Sequence, residues 1–170
     1  MAGELYYQRG TTLVLKSSGG DAVWTPTSVA DGAGRISARL DLGAFPRADA
    51  VEIVALLKAT SAATAGTYAE IYLLEADAAT GSTALASGVT SGHSESDAAI
   101  SDRDRTRNGH LVGHVVADDE ASFFYYSKRY VEPVSSRYVQ VLIWNEFGVA
   151  LNATATACEV HVTPLYIQAQ

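Results

Sequence analysis

The sequence predicts an all-β protein: an antiparallel two-sheet sandwich with jelly-roll or Greek-key connections, preceded by an extended N-terminal arm. Three observations lead there. Apolar side chains recur with period two over seven or eight segments of strand length, the pattern of half-buried strands. Turn signals built on glycine and proline separate those segments. The composition is rich in Val, Ala, Thr, Ser, Gly and Tyr and poor in Lys, Met and Gln, which suits strands and turns better than helices. A chain of 170 residues is long enough to bury one core without disulfides or metals.

Residues 1–34 read as a separate arm. Tyr6, Tyr7, Leu13, Val14, Leu15 and Trp24 are apolar anchors, spaced by Ser17-Ser18-Gly19-Gly20 and Asp31-Gly32-Ala33-Gly34. Residues 12–16 have the length of one strand, and the rest is extended chain with turns. Such a segment suits an arm lying on another surface. It equally suits an edge strand and covering loop on its own domain.

The sandwich is then expected over residues 35–170. Ile36, Ala38, Leu40 and Leu42 alternate with Ser37, Arg39 and Asp41 in a half-buried strand ending at Gly43. Residues 49–60 place Val51, Ile53, Ala55 and Leu57 on one face and Glu52, Val54, Leu56 and Lys58 on the other. The middle is apolar on both sides, as a central strand requires. Residues 67–75 form the next strand, with Tyr68, Glu70, Tyr72 and Leu74 opposite Ala69, Ile71 and Leu73. A long polar excursion, 76–109, follows. It is expected to hold a short edge strand around Leu85 and Val89 and a helical turn within 97–105 started by Ser96 or Asp97. Four strands close the chain at 111–117, 122–132, 137–145 and 157–167, the first two joined by a turn at Asp118-Asp119-Glu120. Pro164 has no N–H to give a ladder, so the last strand is expected to end or lie at an edge there.

The formal net charge is −7, which repels phosphate backbones and argues against a nucleic-acid partner. The N-terminal residues lack the pattern of a signal peptide, and no apolar stretch approaches the ~20 residues of a membrane span. Synthesis in a cytoplasm and no membrane partner are expected. Cys158, the single cysteine, sits in an apolar alternation with Val160 and Val162 and reads as a small buried hydrophobe. His110 and His114 have a helical ligand spacing, but on a strand they stand ~13 Å apart. Asp102, Asp104, Thr106 and Asn108 imitate a calcium loop, yet Arg103, Arg105 and Arg107 between them repel a cation. Carboxylates on the tight 118–120 turn diverge instead of facing one another. Neither a Gly-x-Ser-x-Gly elbow nor a glycine-rich phosphate loop is present. The expectation is a protein with no catalytic residues, no cofactor and no metal.

The aromatic run 123–126 is followed by Lys128, Arg129 and Tyr130. Whichever face turns inward, large rings turn outward. They can stack on sugars, be covered by a neighbouring subunit, or be covered by the arm. Tyr6, Tyr7, Leu13, Leu15, Trp24, Tyr126, Arg129 and Tyr130 are therefore the candidate interface residues.

Four segments carry a resemblance: Arg35 to Gly43, Ile71 to Asp77, Ser136 to Asn145 and His161 to Leu165. In this order, over residues 35–168, the chain resembles small structural proteins of tailed bacteriophages, of the capsid decoration (cement) type. The resemblance implies a β-sandwich virion protein at the capsid surface, often trimeric, that binds the major capsid protein where shell subunits meet and stiffens the shell. A tail or head–tail connector component and a carbohydrate-binding sandwich are the competing readings.

Overall fold

The computed structural model describes residues 5–44, 47–76, 78–79, 95–118, 123–154 and 157–169. In chain order the strands are β1 (Leu5–Arg9), β2 (Leu13–Lys16), β3 (Ala22–Val23), β4 (Ala33–Ile36), β5 (Leu40–Asp41), β6 (Ala50–Lys58) and β7 (Tyr68–Ala76). Then come β8 (Ala98–Ile100), a 3-10 helix (Arg103–Asn108), β9 (His110–Val116), β10 (Phe124–Tyr126), β11 (Tyr130–Pro133), β12 (Tyr138–Glu146) and β13 (Glu159–Ala169).

These elements build two sheets packed face to face. In the first sheet β6 and β13 are central, with β10 and β11 outside β6, and β1, β2 and β3 outside β13. In the second, β12 and β7 are central, flanked by β4, β5 and β8 on one side and by β9 on the other. Pairing is antiparallel except between β2 and β3. The chain passes between the sheets at β3–β4, β5–β6, β6–β7, β9–β10, β11–β12 and β12–β13. That alternation, with four main strand positions in each sheet, is the connectivity of a jelly roll.

Three outer strands are broken by one extra residue. From Arg9, opposite Leu165, to Leu13, opposite Val162, the outer chain takes four steps where β13 takes three. The same surplus separates Tyr126 and Tyr130 along β6, and Ile36 and Leu40 along β12. Each is a bulge, and a bulge of one residue reverses which face later side chains take. Ile36 consequently lies outside the second sheet while Leu40 enters the central core.

The central core lies between the sheets. Leu15, Ile53, Leu57 and Val162 meet Ile71, Val141 and Ile143, with Trp24, Tyr125 and Phe147 filling its ends. The expected boundary at residue 34 falls inside β4. The described part of the 1–34 segment packs on its own domain: β1 and β2 pair with β13, and Trp24 donates its indole N–H to the Arg35 carbonyl at 3.3 Å. Pro164 neither ends β13 nor marks an edge, for the strand runs on to Ala169 between β6 and β1. Its carbonyl accepts from Gly10 N at 2.8 Å, so its missing N–H points to the same side, where the Gly10–Thr12 bulge needs no donor.

The described end of the excursion, residues 95–109, adds β8 to the second sheet and lays the 3-10 helix by its outward face. There Ile36, Tyr72, Leu74, Ile100, Leu142 and Trp144 form a second, smaller core. Arg103 staples it: one guanidinium nitrogen lies 2.7 and 2.8 Å from the Glu70 carboxylate oxygens, another reaches Glu146, and the group lies over the Trp144 ring. The helical turn expected within 97–105 is a 3-10 helix one turn later, capped by Asp102, which accepts from Asp104 N. Asp97 instead accepts from Arg35 at 2.8 and 2.5 Å and from Thr25 N at 3.1 Å. Leu85, Val89 and most of the 118–120 turn lie outside the described residues.

The seam between β9 and β11 is closed by a side chain. Tyr130 Oη accepts from His114 N at 3.1 Å and donates to His114 O at 2.9 Å, giving the edge of β9 both bonds that a neighbouring strand would supply. The ring lies where a Cβ on residue 113 would be, so only glycine fits there. Gly113→Ala is expected to destabilise by about 1–3 kcal/mol through overpacking. Tyr130→Phe should cost about 1–3 kcal/mol by stranding two backbone groups. Urea unfolding of both variants checks these values.

Burial alone would push the Asp97 carboxyl up, but the hydrogen bonds from Arg35 and Thr25 outweigh it and hold its pKa below the usual aspartate value. The stability it contributes is present above that usual value and is lost as pH falls through the lowered one. The advantage of wild type over Asp97→Asn in urea midpoint should therefore be full at neutral pH and vanish below the ordinary aspartate range.

Candidate functional site

The outward face of the first sheet is a ladder of cross-strand rows. At one end, β1 and the last residues of β13 run beyond β6 as a two-stranded ribbon, where Tyr7 faces Ile167, both about half exposed. Next comes Arg9 beside Leu165 and Ala50, with Pro133 across β6. Thr163, Glu52 and Val131 make the third row, and Val14, His161 and Val54 the fourth. Glu159, Leu56 and Tyr126 follow, and Lys58 opposite Phe124 ends the ladder. At ~6.7 Å between rows the face is about 30 Å long.

Glu52 sits near its centre with a side chain only 11% exposed. Arg9 donates to both its oxygens, at 2.9 and 2.7 Å, and Arg129 approaches at 3.4 Å. A buried carboxylate needs such partners. The pair also holds β1 and the β10–β11 bulge against the central strands.

The apolar part of this face is uncovered. Tyr126 is 66% exposed and Val131 49%. Val14, Val54, Leu56 and Phe124 are half-buried around them. Lys58 lies over the Phe124 ring at 4.5 Å, a cation–π contact. The chain has three lysines, Lys16, Lys58 and Lys128. Register turns the first two outward here, and Lys128 is exposed in the bulge beside Tyr126. None forms an ion pair with a described carboxylate.

The eight candidate interface residues divide in two. Tyr7, Tyr126 and Arg129 lie on the outward face, and Tyr6, also exposed, is on the opposite side of the ribbon, donating to Gln168 at 3.2 Å. Leu15 and Trp24 are fully buried, Leu13 packs on the same core, and Tyr130 is committed to Gly113 and His114. Those four serve the fold. Val14, Val54, Leu56 and Ile167 complete the face but escape a search for aromatic anchors. The signal for two of them was the second apolar side of residues 51–58.

Elsewhere, Tyr68 and Val116 pair across β7 and β9 as a smaller exposed apolar spot, and Tyr68 meets His114 edge-on at 5.0 Å. A cleft of about 210 Å³ is lined by Leu73, Glu75, His110, Glu132 and Pro133. His110 Nε2 lies 2.9 Å from Glu132, while Glu75 is occupied by Ser135 and Ser136. Among the described residues no three His, Cys, Asp or Glu gather to hold a metal ion, and no helix is long and apolar enough to cross a membrane. Cys158 is fully buried, and burial pushes its thiol up to about 11. The sequence matches no known protein-family profile and no characterised protein.

This division predicts opposite stability effects. Leu15→Ala should cost about 2–5 kcal/mol and Trp24→Ala about 3–5 kcal/mol. Tyr7→Ala and Tyr126→Ala should stay within about 0.5 kcal/mol of wild type. Chemical denaturation of the four variants provides the comparison.

Proposed function

We propose that this chain is a non-enzymatic structural protein of a tailed-bacteriophage virion, a capsid decoration protein that stiffens the shell by adhering where capsid subunits meet. The observation that carries the reading is the asymmetry of the sandwich. On the outward face of the second sheet the apolar side chains are buried in a second core, whereas the first sheet keeps aromatic and aliphatic side chains such as Tyr126 and Val131 open. An exposed apolar face on a rigid sheet is suited to adhesion. Each buried anchor such as Tyr7, Ile167 or Tyr126 would contribute roughly 1.5–3 kcal/mol before ordering costs. Many copies on one symmetric shell would add to one another's hold. The resemblance of residues 35–168 to decoration proteins supports the same reading.

A second reading rests on Tyr126, whose ring stands open on a sheet face as sugar-binding platforms do. Quantitative mass spectrometry of purified particles separates the possibilities. The decoration reading expects a ratio to the major capsid protein near one to one, or one to a few. A far smaller ratio would place the chain in the tail or connector. Absence from particles, with retention on a polysaccharide array, would replace the virion reading with carbohydrate binding.

A further inference from the structure

We infer that the outer side of β10 is a binding site for an anionic polysaccharide, a polyuronate with a carboxylate on its sugar rings. Tyr126 stacks on a ring, and Lys58 and Lys128 pair with carboxylates to either side of it. The inference rests on the reading of Tyr126 as a sugar platform and adds to it the charge of the ligand. Phe124 and Tyr126 stand two residues apart and turn to one side, opposite Lys58 and Leu56 of β6. Tyr126 is open, Phe124 is half-buried, and the Lys58 ammonium lies 4.5 Å from the centre of the Phe124 ring. That contact fixes a cation at one end of the platform. The other end is pinned by Ser127. Its N–H donates to Ala55 O at 2.9 Å, and its hydroxyl accepts from Ala55 N at 2.8 Å and donates to Lys128 O at 2.7 Å. Exposed Lys128 therefore stands on a bulge tied to β6, just beyond Tyr126. Entry to the platform is strained: Phe123 has a φ of 60°, rare for a bulky residue, and packs on the core while Phe124 turns outward. Backbone strain of this kind concentrates at binding sites.

Charge selects the ligand. Neither Lys58 nor Lys128 forms an ion pair with a described carboxylate. The carboxylates of the same face are engaged or distant. Glu52 is held by Arg9 and Arg129, and Glu159, in the row of Tyr126, by His161 at 2.9 Å. Asp21 and Asp49 accept from Val14 N and Ile167 N, on the β2 border and at the ribbon end, away from β10. Lys16 shares that β2 border and lies outside the site. Two cations flanking one open ring suit a chain with spaced charges and an apolar C–H face to lay on tyrosine. A nucleic acid, with one charge per roughly 1.7 Å of duplex axis, calls for a broader basic surface. An acidic peptide meets the lysines but has no flat C–H face for Tyr126.

The test is an NMR titration of the full chain with hexagalacturonate, neutral cellohexaose and hexaglutamate. With hexagalacturonate, shifts are expected at Tyr126, Lys58 and Lys128, and affinity should fall as salt rises. Tyr126→Ala and Lys58→Glu/Lys128→Glu should each weaken binding at least tenfold, while Lys58→Arg/Lys128→Arg should retain it. Lys16→Glu/Arg47→Glu, with the same change in net charge away from β10, should have little effect. Cellohexaose bound as tightly as the uronate would overturn the inference and leave the sugar-platform reading standing. Binding of neither glycan would overturn both. Hexaglutamate bound as tightly as the uronate, or uronate binding that survives Tyr126→Ala, would reduce the site to bare charge and overturn the inference as well.

Discussion

The structure depends on one constraint: each sheet contains a central strand that is apolar on both faces. In β6, Val51, Ile53, Ala55 and Leu57 enter the core while Val54 and Leu56 face out. In β12, Val139, Val141 and Ile143 enter it while Leu142 and Trp144 face out. A half-buried strand needs one cover and a doubly apolar strand needs two. Packing the sheets together supplies the inner cover for both. Among the described residues, Ile100 of β8 and Arg103 of the 3-10 helix contribute to the outer one for β12, in the second core and the staple over Trp144. No described segment performs that service for β6, and its outer face is left to whatever the protein meets.

The edges show how the same fold limits indiscriminate pairing. Bulges interrupt the strand beside β13 and the strand beside β6, so neither sheet border offers a long flat ladder to a stranger. Where β9 would be open, the Tyr130 hydroxyl occupies both backbone groups of His114. Protected borders and an open face together favour association through side chains over association through strand addition.

Those bulges also explain what could be read from the sequence. β9 carries a bulge opposite Ile71 and Tyr72, whereas the long strands β6, β7, β12 and β13 were legible because period two persists through them. So was the doubled apolar character of residues 51–58. Facing was not legible across a bulge. Tyr126 and Tyr130 have the same parity, as do Tyr7 and Leu15, and Ile36 and Leu40. Alternation therefore assigns each pair to one face, yet the surplus residue puts one member outside and the other inside. Trp24 failed for another reason. Its neighbouring strand, β3, is two residues long, too short to show a period, and its burial is set by contacts distant in sequence. The role of the excursion was equally hidden, because Ile100 and Arg103 acquire meaning only once the outer face of β12 is known.

Adhesion through a sheet face differs in cost from adhesion through an arm. Ordering an extended segment consumes roughly 1–2 kcal/mol per residue of backbone freedom before any contact counts in its favour. On β6, β10 and β13 that ordering has already been met by folding, and a partner need restrict only exposed side chains such as Tyr126 and the lysines. Tyrosine suits this arrangement, since it brings a large contact area with few rotatable bonds. With Leu15 and Trp24 consumed by the core, the exposed side chains of the first sheet stand on a preformed surface whose shape is fixed by the same hydrogen-bonded ladders that hold the sandwich together.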